Sequence, residues 1–352
     1  MRPKTSPDSL LPAHVESEEQ LEELLTRPTP ELIAFMKKLD GDIILLGVGG
    51  KMGPTLAKLA RRSMDEAGIK RKVIGISRFS EKELKRELND AGIETIACDL
   101  LDEASWKNLP DAPNVIYMAG RKFGSTGEES MTWAMNTYLP ALVAKRYNKS
   151  RIAAFSTGNV YPLTPVSLGG SRETDVPNPV GEYAMSCLGR ERIFEHFSRT
   201  QKTPVVMIRL NYACDLRYGI LLEVAQKVHA GKPVEVTMGH VNLLWQGDAN
   251  AVTLRALDLA ASPSAKLNLT GPETVSIRML AVRFGELFNR APVLTGVEAP
   301  TALLNNATQC HALFGYPRVS LEQMIRATAQ WVSGGLPTLN KPTHYEARDG
   351  KF

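Results

Sequence analysis

A glycine-rich segment after residue 46 carries the strongest chemical signal in the sequence. The apolar run 43–46 predicts a strand, and a helix-length stretch begins after the last glycine. Glycine allows the backbone to approach a bound pyrophosphate closely, and the free N–H groups at the start of the helix can bind it. We therefore predict a dinucleotide-binding turn with the spacing GxxGxxG, although an ordinary strand-to-helix turn could carry the same glycines. The residues assigned to this turn are Gly47, Gly50, Lys51, Met52 and Gly53.

Residues after the second and third predicted strands indicate which dinucleotide is bound. Ser77 and Arg78 follow the second strand, where NAD-binding chains usually offer a carboxylate to the ribose 2′-hydroxyl. A hydroxyl and a guanidinium suit a 2′-phosphate instead, and Lys51 could add to them, so we predict NADP with NAD as the alternative. Asp99, followed by Leu100, stands after the third strand, where its carboxylate could accept a hydrogen bond from the adenine amino group.

Several further motifs, in the same order, resemble the extended short-chain dehydrogenase/reductases, which include NAD-dependent epimerases and dehydratases. The resemblance covers roughly residues 41–335. Beside the glycine turn and Asp99-Leu100, it rests on Met118-Ala119-Gly120, Asn136, the run 155–161, the run 179–186, Arg209-Leu210-Asn211 and the run 245–248. The resemblance implies that the cofactor is contacted by Met118, Ala119, Gly120, Asn136, Tyr183 and Asn211.

The resemblance also implies that Tyr183 is the general acid or base at a substrate hydroxyl or carbonyl. Thr157 would hydrogen-bond the same substrate oxygen and stabilise the charge that develops there. Tyrosine suits this role only if its pKa, about 10 when unperturbed, is brought down towards the working pH. In the family a lysine four residues after the tyrosine supplies the positive charge. Here Cys187 occupies that position.

Two explanations of this departure stay open. In the first, the chain is an enzyme and another cation substitutes; Lys122, just after the fourth predicted strand, is preferred to Arg190, which lies two helical turns from Tyr183. In the second, the chain binds the cofactor without effective chemistry and acts as a nucleotide sensor. Cys187 is expected to be a small buried residue and not a nucleophile, because no histidine is close in sequence.

The substrate is expected to be carbohydrate-like and to lack a nucleotide. In the family, an arginine-containing stretch late in the chain often holds the diphosphate of a nucleotide sugar, but residues 298–306 read EAPTALLNN. The segment between Asn211 and Trp245 is short, with His240 and Asn242 where a phosphate-binding arginine would be sought. We therefore expect an oxidoreductase for a hydroxyl or ketone of a free sugar, polyol or sugar acid. A nucleotide-sugar epimerase or dehydratase with an internally recycled cofactor is the alternative.

The elements that must position these residues alternate between short apolar runs and helix-length stretches. This alternation is typical of βαβ units, and it predicts an α/β fold with a doubly wound parallel sheet, the Rossmann fold. The predicted strands are 43–46, 72–76, 94–97, 115–118, 151–156 and 205–210. The predicted helices between them are 55–67, 81–91, 129–147 and 183–200.

The alternation weakens after residue 212, which divides the chain. We expect a helical extension with two short helices over 1–40 and a mainly NAD(P)-binding Rossmann domain over 41–212. A mainly substrate-binding lobe with returns to the Rossmann domain should span 213–335, and a tail should span 336–352. By the family resemblance, the helices 129–147 and 183–200 would form a homodimer contact.

Composition excludes several other classes of protein. The 352 residues are 43% hydrophobic and 23% charged, as in a globular protein. The net charge of +4 is too small to suggest nucleic-acid binding. No apolar run approaches a membrane span and no export signal stands at the start, so we expect a cytoplasmic protein without membrane partners. The four cysteines form no CxxC pair, so no metal site or disulfide framework is predicted.

Overall fold

Seven parallel strands form the central sheet of this structure, a computed structural model that describes residues 10–122 and 127–351. In chain order the strands are β1 (Ile43–Leu46), β2 (Val73–Ser77), β3 (Glu94–Ala97), β4 (Asn114–Tyr117), β5 (Arg151–Thr157), β6 (Val205–Leu210) and β7 (Ala265–Leu269). Their order across the sheet is β7-β6-β5-β4-β1-β2-β3. The predicted doubly wound sheet is confirmed. The strand β7 was not among the six predicted strands, because Lys266 and Asn268 interrupt its apolar run.

Helices cover both faces of the sheet. In β1, Ile43 and Leu45 pack in the core on one face of the sheet, whereas Ile44 and Leu46 point to the core on the opposite face. A parallel sheet covered on both faces needs such continuously apolar strands. The helices are α1 (Glu18–Leu25), α2 (Pro30–Lys38), α3 (Gly53–Glu66), α4 (Lys82–Asp90), α5 (Glu129–Trp133), α6 (Leu139–Arg146), α7 (Gly181–Gln201), α8 (Ile220–His229), α9 (Gln246–Arg255), α10 (Ile277–Phe288), α11 (Thr308–Phe314) and α12 (Leu321–Ser333).

The single helix predicted over 129–147 is interrupted by a π-helical turn. This turn spans Ala134–Tyr138, between α5 and α6. Pro140 stands in the first turn of α6 and lacks the N–H that would continue the α-helical pattern to the Asn136 carbonyl. That carbonyl instead accepts a hydrogen bond from Arg190 Nε at 3.4 Å. Short π-helical turns of this kind are frequent at functional sites.

A smaller lobe follows β6. Its helices α8, α10 and α12 pack around a second apolar core that includes Val224, Phe284 and Trp331. Four pairs of two-residue strands connect its loops: Thr164–Pro165 with Thr301–Ala302, Ala213–Cys214 with Leu244–Trp245, Val234–Glu235 with Leu294–Thr295, and His240–Val241 with Val275–Ser276. The strand β7 and helix α9 return to the sheet and its covering layer.

The two helices predicted near the start of the chain are present as α1 and α2. Ser17 caps α1 and Thr29 caps α2, each by accepting a hydrogen bond from a backbone N–H in the first turn. The segment 336–351 forms no helix or strand, yet Tyr345 within it is fully buried. In the described part of the chain, no helix has the length and apolar character that a membrane span requires.

Candidate active site

The glycine turn opens on a groove at the carboxyl ends of β1, β2 and β4. The chain leaves β1 and β4 in opposite directions across the sheet, and ligands of doubly wound folds bind at this point. The groove has a volume of about 530 Å³. Most residues predicted to bind the cofactor line it: Gly47, Gly50, Ser77, Arg78, Asp99, Leu100, Met118, Ala119 and Gly120.

At two positions of this turn, a residue larger than glycine would clash with the neighbouring backbone. Gly47 has a φ of 90°, and a Cβ atom there would lie 2.7 Å from the backbone nitrogen of Ala119. A Cβ atom on Gly53 would lie 2.1 Å from the carbonyl oxygen of Val48. The turn is closed by a hydrogen bond from Gly50 N to Gly47 O at 3.1 Å. Because these glycines have no side chains, a pyrophosphate in the groove could approach the backbone of the turn closely.

The far end of the groove fits the ribose and adenine of a dinucleotide. Ser77 ends β2, and Arg78 is exposed at the rim. Asp99 accepts a hydrogen bond from Leu101 N at 3.0 Å through one carboxylate oxygen, which leaves the second oxygen for another donor. The donor set at the end of β2 has the character that a 2′-phosphate requires.

A second cavity of about 150 Å³ adjoins the glycine turn through Lys51 and Met52. It contains the three predicted catalytic side chains, Lys122, Thr157 and Tyr183. Thr157 is the last residue of β5, and Tyr183 lies in the first turn of α7, which begins at Gly181. The structure thus brings together residues that are far apart in the sequence. Asn211, predicted to contact the cofactor, also lines this cavity.

The Tyr183 phenol hydrogen-bonds both Thr157 and Cys187. Cys187 is fully buried one helical turn along α7 and packs against Val160 and Tyr161. Burial raises the pKa of Tyr183 well above its ordinary value, and Cys187 raises it further, whereas Arg190 and the Thr157 hydrogen bond lower it. With these groups alone, the phenol is protonated at neutral pH. Cys187 is a buried packing residue, as expected.

Arg190 is a buried cation behind the cavity. Its Nη1 donates to Phe155 O at 2.7 Å, and its Nη2 donates to the Asn136 side-chain oxygen at 2.7 Å. The Asn136 Nδ2 in turn donates to Arg121 O at 2.9 Å and to Ser186 Oγ at 3.0 Å. Asn136 is therefore fully buried and occupied, so it positions the wall of the groove and does not line it. The predicted contact of Asn136 with the cofactor therefore stays a prediction, and the hydrogen bonds of its side chain all go to protein groups.

Lys122 lies close to Tyr183, as the substitute-cation hypothesis requires. Its Nζ is 5.9 Å from the centre of the Tyr183 ring and donates to Thr343 O at 3.1 Å. Burial lowers the pKa of Lys122 to about 8, and the neighbouring charge of Lys51 lowers it as well. Lys122 is thus still mostly charged at neutral pH, and its role as the substitute cation stays a prediction.

Lys51 does not extend towards Ser77 and Arg78, where it was expected to support a 2′-phosphate. Its Nζ donates to Ala213 O at 3.1 Å and lies 3.6 Å from the centre of the Tyr218 ring. The ammonium group therefore points into the Tyr183 cavity, because the side chain leaves the glycine turn on the side away from β2. Burial lowers the pKa of Lys51 to about 8.

A buried ion pair fixes the strands and the helix that carry Thr157 and Tyr183. Arg209 on β6 makes two hydrogen bonds to Glu191 on α7, at 2.9 and 2.7 Å. Ser156 on β5 donates to the same carboxylate at 2.6 Å, and Arg209 also donates to the Tyr161 hydroxyl. Both charged side chains are 1% exposed. The pair therefore joins β5, β6 and α7 directly behind the cavity.

Some residues of the cavity wall were not predicted from the sequence. Tyr218 and Thr343 line it, and Thr343 belongs to the segment expected to be a plain tail. No local motif marks either residue, because Tyr218 reaches the cavity through the packing of the smaller lobe and Thr343 through the packing of the C-terminal segment. Arg121, which lines the groove, follows the Met118-Ala119-Gly120 motif directly and could have been included on that basis.

Several solved structures share this fold at low sequence identity. One is a variant UDP-glucuronic acid 4-epimerase from Bacillus cereus, in complex with a fluorinated UDP-sugar and NAD, with a TM-score of 0.70 and 17% identity over 83% of this chain and 99% of that one. Another is the UDP-glucose 4-epimerase of Thermotoga maritima with UDP-glucose, with a TM-score of 0.67 and 17% identity over 84% of this chain and 99% of that one.

The UDP-glucose 4-epimerase of Thermus thermophilus in complex with NAD is similar to the same degree, with a TM-score of 0.67 and 17% identity over 84% of this chain and 100% of that one. The comparison with curated protein sequences gave no significant match. The sequence model of the NAD dependent epimerase/dehydratase family matches residues 43–250, which include the glycine turn, Thr157 and Tyr183. This match spans more than half of the chain, and the chain therefore belongs to the NAD-dependent epimerase/dehydratase family.

Proposed function

We propose that this chain is an NAD(P)-dependent epimerase that transiently oxidises a secondary hydroxyl of a carbohydrate-like substrate. The observation that carries the proposal is the meeting of Tyr183, Thr157 and the Lys122 ammonium group in one cavity beside the dinucleotide groove. Family membership makes the chain an enzyme of the NAD(P)-dependent class. The alternative of a nucleotide sensor without chemistry is therefore not favoured.

The cavity residues supply the proton chemistry of such a reaction. Tyr183 takes the proton of the substrate hydroxyl, and Thr157 hydrogen-bonds the same oxygen while it becomes a carbonyl. Bound NAD(P) would accept the hydride from the carbinol carbon and return it to the opposite face of the ketone. Tyr183 then returns the proton to the oxygen, so the substrate undergoes no net oxidation. Positive charge on Lys122 favours the deprotonated phenol that the first step needs.

The choice between NAD and NADP rests on two opposing observations. Ser77 and Arg78 at the end of β2, where NAD-binding chains usually carry a carboxylate, support NADP. The epimerases with similar folds are described in complex with NAD. We propose NADP for this chain, and extraction of the cofactor from the purified protein identifies the one that is held.

The comparisons support a nucleotide sugar as substrate more than a free sugar. The similar folds named above are UDP-sugar epimerases, two of them in complexes with a UDP-sugar. An internally recycled cofactor follows from this interpretation, whereas net oxidation of a free sugar requires the cofactor to leave after each turnover.

A second candidate function, net oxidation of a free sugar or sugar acid, is favoured by the size of the cavity. Its volume of about 150 Å³ is below the roughly 300–1,000 Å³ of most small-molecule sites. Thr343, in the C-terminal segment, forms part of its wall. A nucleotide sugar would require this segment to move, whereas a monosaccharide would not.

Replacement of Tyr183 by phenylalanine tests the proposed function. Tyr183→Phe removes the hydroxyl that transfers the proton, so we expect a loss in turnover of roughly 10²–10⁴-fold with little change in cofactor affinity. Epimerisation of UDP-sugars and reduction of added NAD or NADP by free sugars are measured side by side. Unchanged turnover in the variant would rule out the mechanism. Stoichiometric release of reduced cofactor with free sugars, without epimerisation, would favour the second candidate.

A further inference from the structure

The Tyr183 cavity contains two ammonium groups. Lys51 is held by Ala213 O and by the face of the Tyr218 ring, and Lys122 is held by Thr343 O. None of the salt bridges between described residues includes Lys51. The proposed hydride transfer uses Lys122 but assigns no part to Lys51, and the dinucleotide groove does not include it.

Two cations placed together away from water are unfavourable for the fold. Each ammonium group loses hydration, and the two repel each other. The shift of the pKa of both lysines to about 8 is consistent with this geometry. A group of negative charge between them would relieve both costs, because it would hydrogen-bond the ammonium groups and neutralise their charge.

Three acidic side chains act on the two lysines from outside the cavity: Asp215 on Lys51, and Glu223 and Glu346 on Lys122. Asp215 accepts a hydrogen bond from Arg217 N at 2.7 Å and lies 3.5 Å from the Arg217 guanidinium. Glu223 accepts a hydrogen bond from Thr343 N, in the wall of the cavity. These acids moderate the positive charge, but none of the three lines the cavity.

A third donor points to a ligand at the same place. Asn211 lines the cavity and is only 3% exposed. Its side-chain Nδ2 has no hydrogen-bond partner among the described residues, although its backbone N–H donates to Leu269 O. A buried amide without a partner is unfavourable, so a ligand acceptor here would be stabilising.

We propose that Lys51 and Asn211, together with Lys122, form a subsite for an anionic group carried by the substrate, either a carboxylate or a phosphate. This inference rests on the proposed function, because it assumes that the substrate oxygen meets Tyr183 and Thr157 in the same cavity. The subsite lies in the Tyr183 cavity, whereas Ser77, Arg78 and Asp99, which fit the adenosine half of the dinucleotide, line the other groove. Lys51 is therefore assigned to the substrate and not to the cofactor.

Equilibrium binding to the full chain loaded with its cofactor tests the subsite without requiring turnover. The probes are pairs that differ in charge: D-glucuronate against D-glucose, UDP-glucuronate against UDP-glucose, and D-glucose 6-phosphate against D-glucose. Titration calorimetry gives Kd for each member. Lys51→Met removes the charge, Lys51→Arg retains it, and Lys107→Met at an exposed lysine is the matched control.

We expect the wild type to bind at least one acidic member roughly tenfold or more tightly than its neutral partner. Lys51→Met should abolish this preference, Lys51→Arg should keep most of it, and Lys107→Met should leave it unchanged. The pairs distinguish a carboxylate from a phosphate. Equal binding within every pair of the wild type, or no binding of any probe, would overturn the proposal. So would a loss of cofactor affinity in Lys51→Met with an unchanged preference.

The same experiment separates this subsite from the proposed function. If the charge preference depends on Lys51 but no probe is turned over, the subsite stands and the reaction assignment fails. If acidic and neutral members bind with equal Kd and both show Tyr183-dependent turnover, the reaction assignment stands and the subsite fails.

Discussion

Tyr183 depends on cations from other parts of the chain. The position one turn along α7 holds Cys187, whose thiol hydrogen-bonds the phenol and raises its pKa. Arg190 lies behind the cavity on the same helix, and Lys122 approaches from the loop after β4. Two more distant cations, Arg190 and Lys122, thus take the place of the lysine that the family has one turn after the tyrosine. The pH dependence of turnover should reveal which of them matters.

Replacement of Lys122 by methionine should move the pH–rate profile of oxidation to higher pH. Loss of a positive charge near the phenol raises the pKa of Tyr183, and one pKa unit corresponds to about tenfold in rate at neutral pH. Because the pKa of Lys122 is itself lowered to about 8, its charge and its help are present below that pH and fade above it. The profile of kcat/KM against pH is therefore compared between wild type and Lys122→Met over the range in which both groups titrate.

The variant Cys187→Ala should shift the pH–rate profile in the opposite direction. It removes the thiol that raises the pKa of Tyr183, so its profile should move to lower pH. A Lys122→Met profile that coincides with the wild type would assign the supporting charge to Arg190 instead. Lys107→Met, at an exposed lysine, controls for the loss of one positive charge from the whole molecule.

At the scale of elements, the ion pair between Arg209 and Glu191 determines whether Thr157 and Tyr183 meet. It joins β6 to α7, and Ser156, next to Thr157, bonds the same carboxylate. Replacement of Arg209 by methionine would leave the Glu191 carboxylate buried without its partner. We expect a loss of about 3–5 kcal/mol in the free energy of unfolding, measured by urea denaturation.

The double variant Arg209→Met with Glu191→Leu separates charge from packing. With neither charge buried, most of the lost stability should return, because burial of an ion pair is itself costly. A single variant as stable as the wild type would contradict the arrangement of this network. Glu195→Gln, at a surface carboxylate of the same helix that binds Arg199, should change stability by less than about 1 kcal/mol.

Much of the fold could be predicted because its signals are local. The strand β1, the glycine turn and the helix that follows are consecutive, so periodicity and glycine spacing are enough to predict them. The strand β7 was missed, because two polar residues interrupt its apolar run and only the neighbouring β6 makes it a strand. The direction of the Lys51 side chain could not be predicted for a similar reason. A side chain at this turn can extend towards the end of β2 or towards the Tyr183 cavity. Only the tertiary contact with Tyr218 determines which direction Lys51 takes.

At the scale of the whole molecule, both ends of the described chain support the cavity. Glu22 on α1 bonds Arg217 at 2.8 Å, and Arg217 contacts Asp215, next to the cavity residue Cys214. From the other end, Thr343 O holds Lys122. The two end segments thus shape the site although they carry none of the family motifs. The homodimer through α5, α6 and α7 stays a prediction.

The C-terminal segment should control which substrates enter. Arg348 fastens it to the smaller lobe by donating from Nη1 to Thr301 O and from Nη2 to Thr301 Oγ1, each at 2.7 Å. A nucleotide sugar requires the segment to open, and the apparent Kd of such a ligand is the intrinsic value divided by the open fraction. Arg348→Ala weakens the closed state, so we expect KM for UDP-sugars to fall severalfold with kcat little changed.

A free sugar should respond in the opposite way, because it fits beneath the closed segment and gains from the contact of Thr343 with Lys122. If Arg348→Ala raises KM for free sugars or hexuronates while UDP-sugars remain inactive, the nucleotide-sugar interpretation is contradicted and the second candidate gains support. Arg326→Ala, which removes a surface ion pair with Glu322 on α12, is the control and should alter neither value. The two interpretations differ in the sign of the change in KM, so one pair of kinetic measurements decides between them.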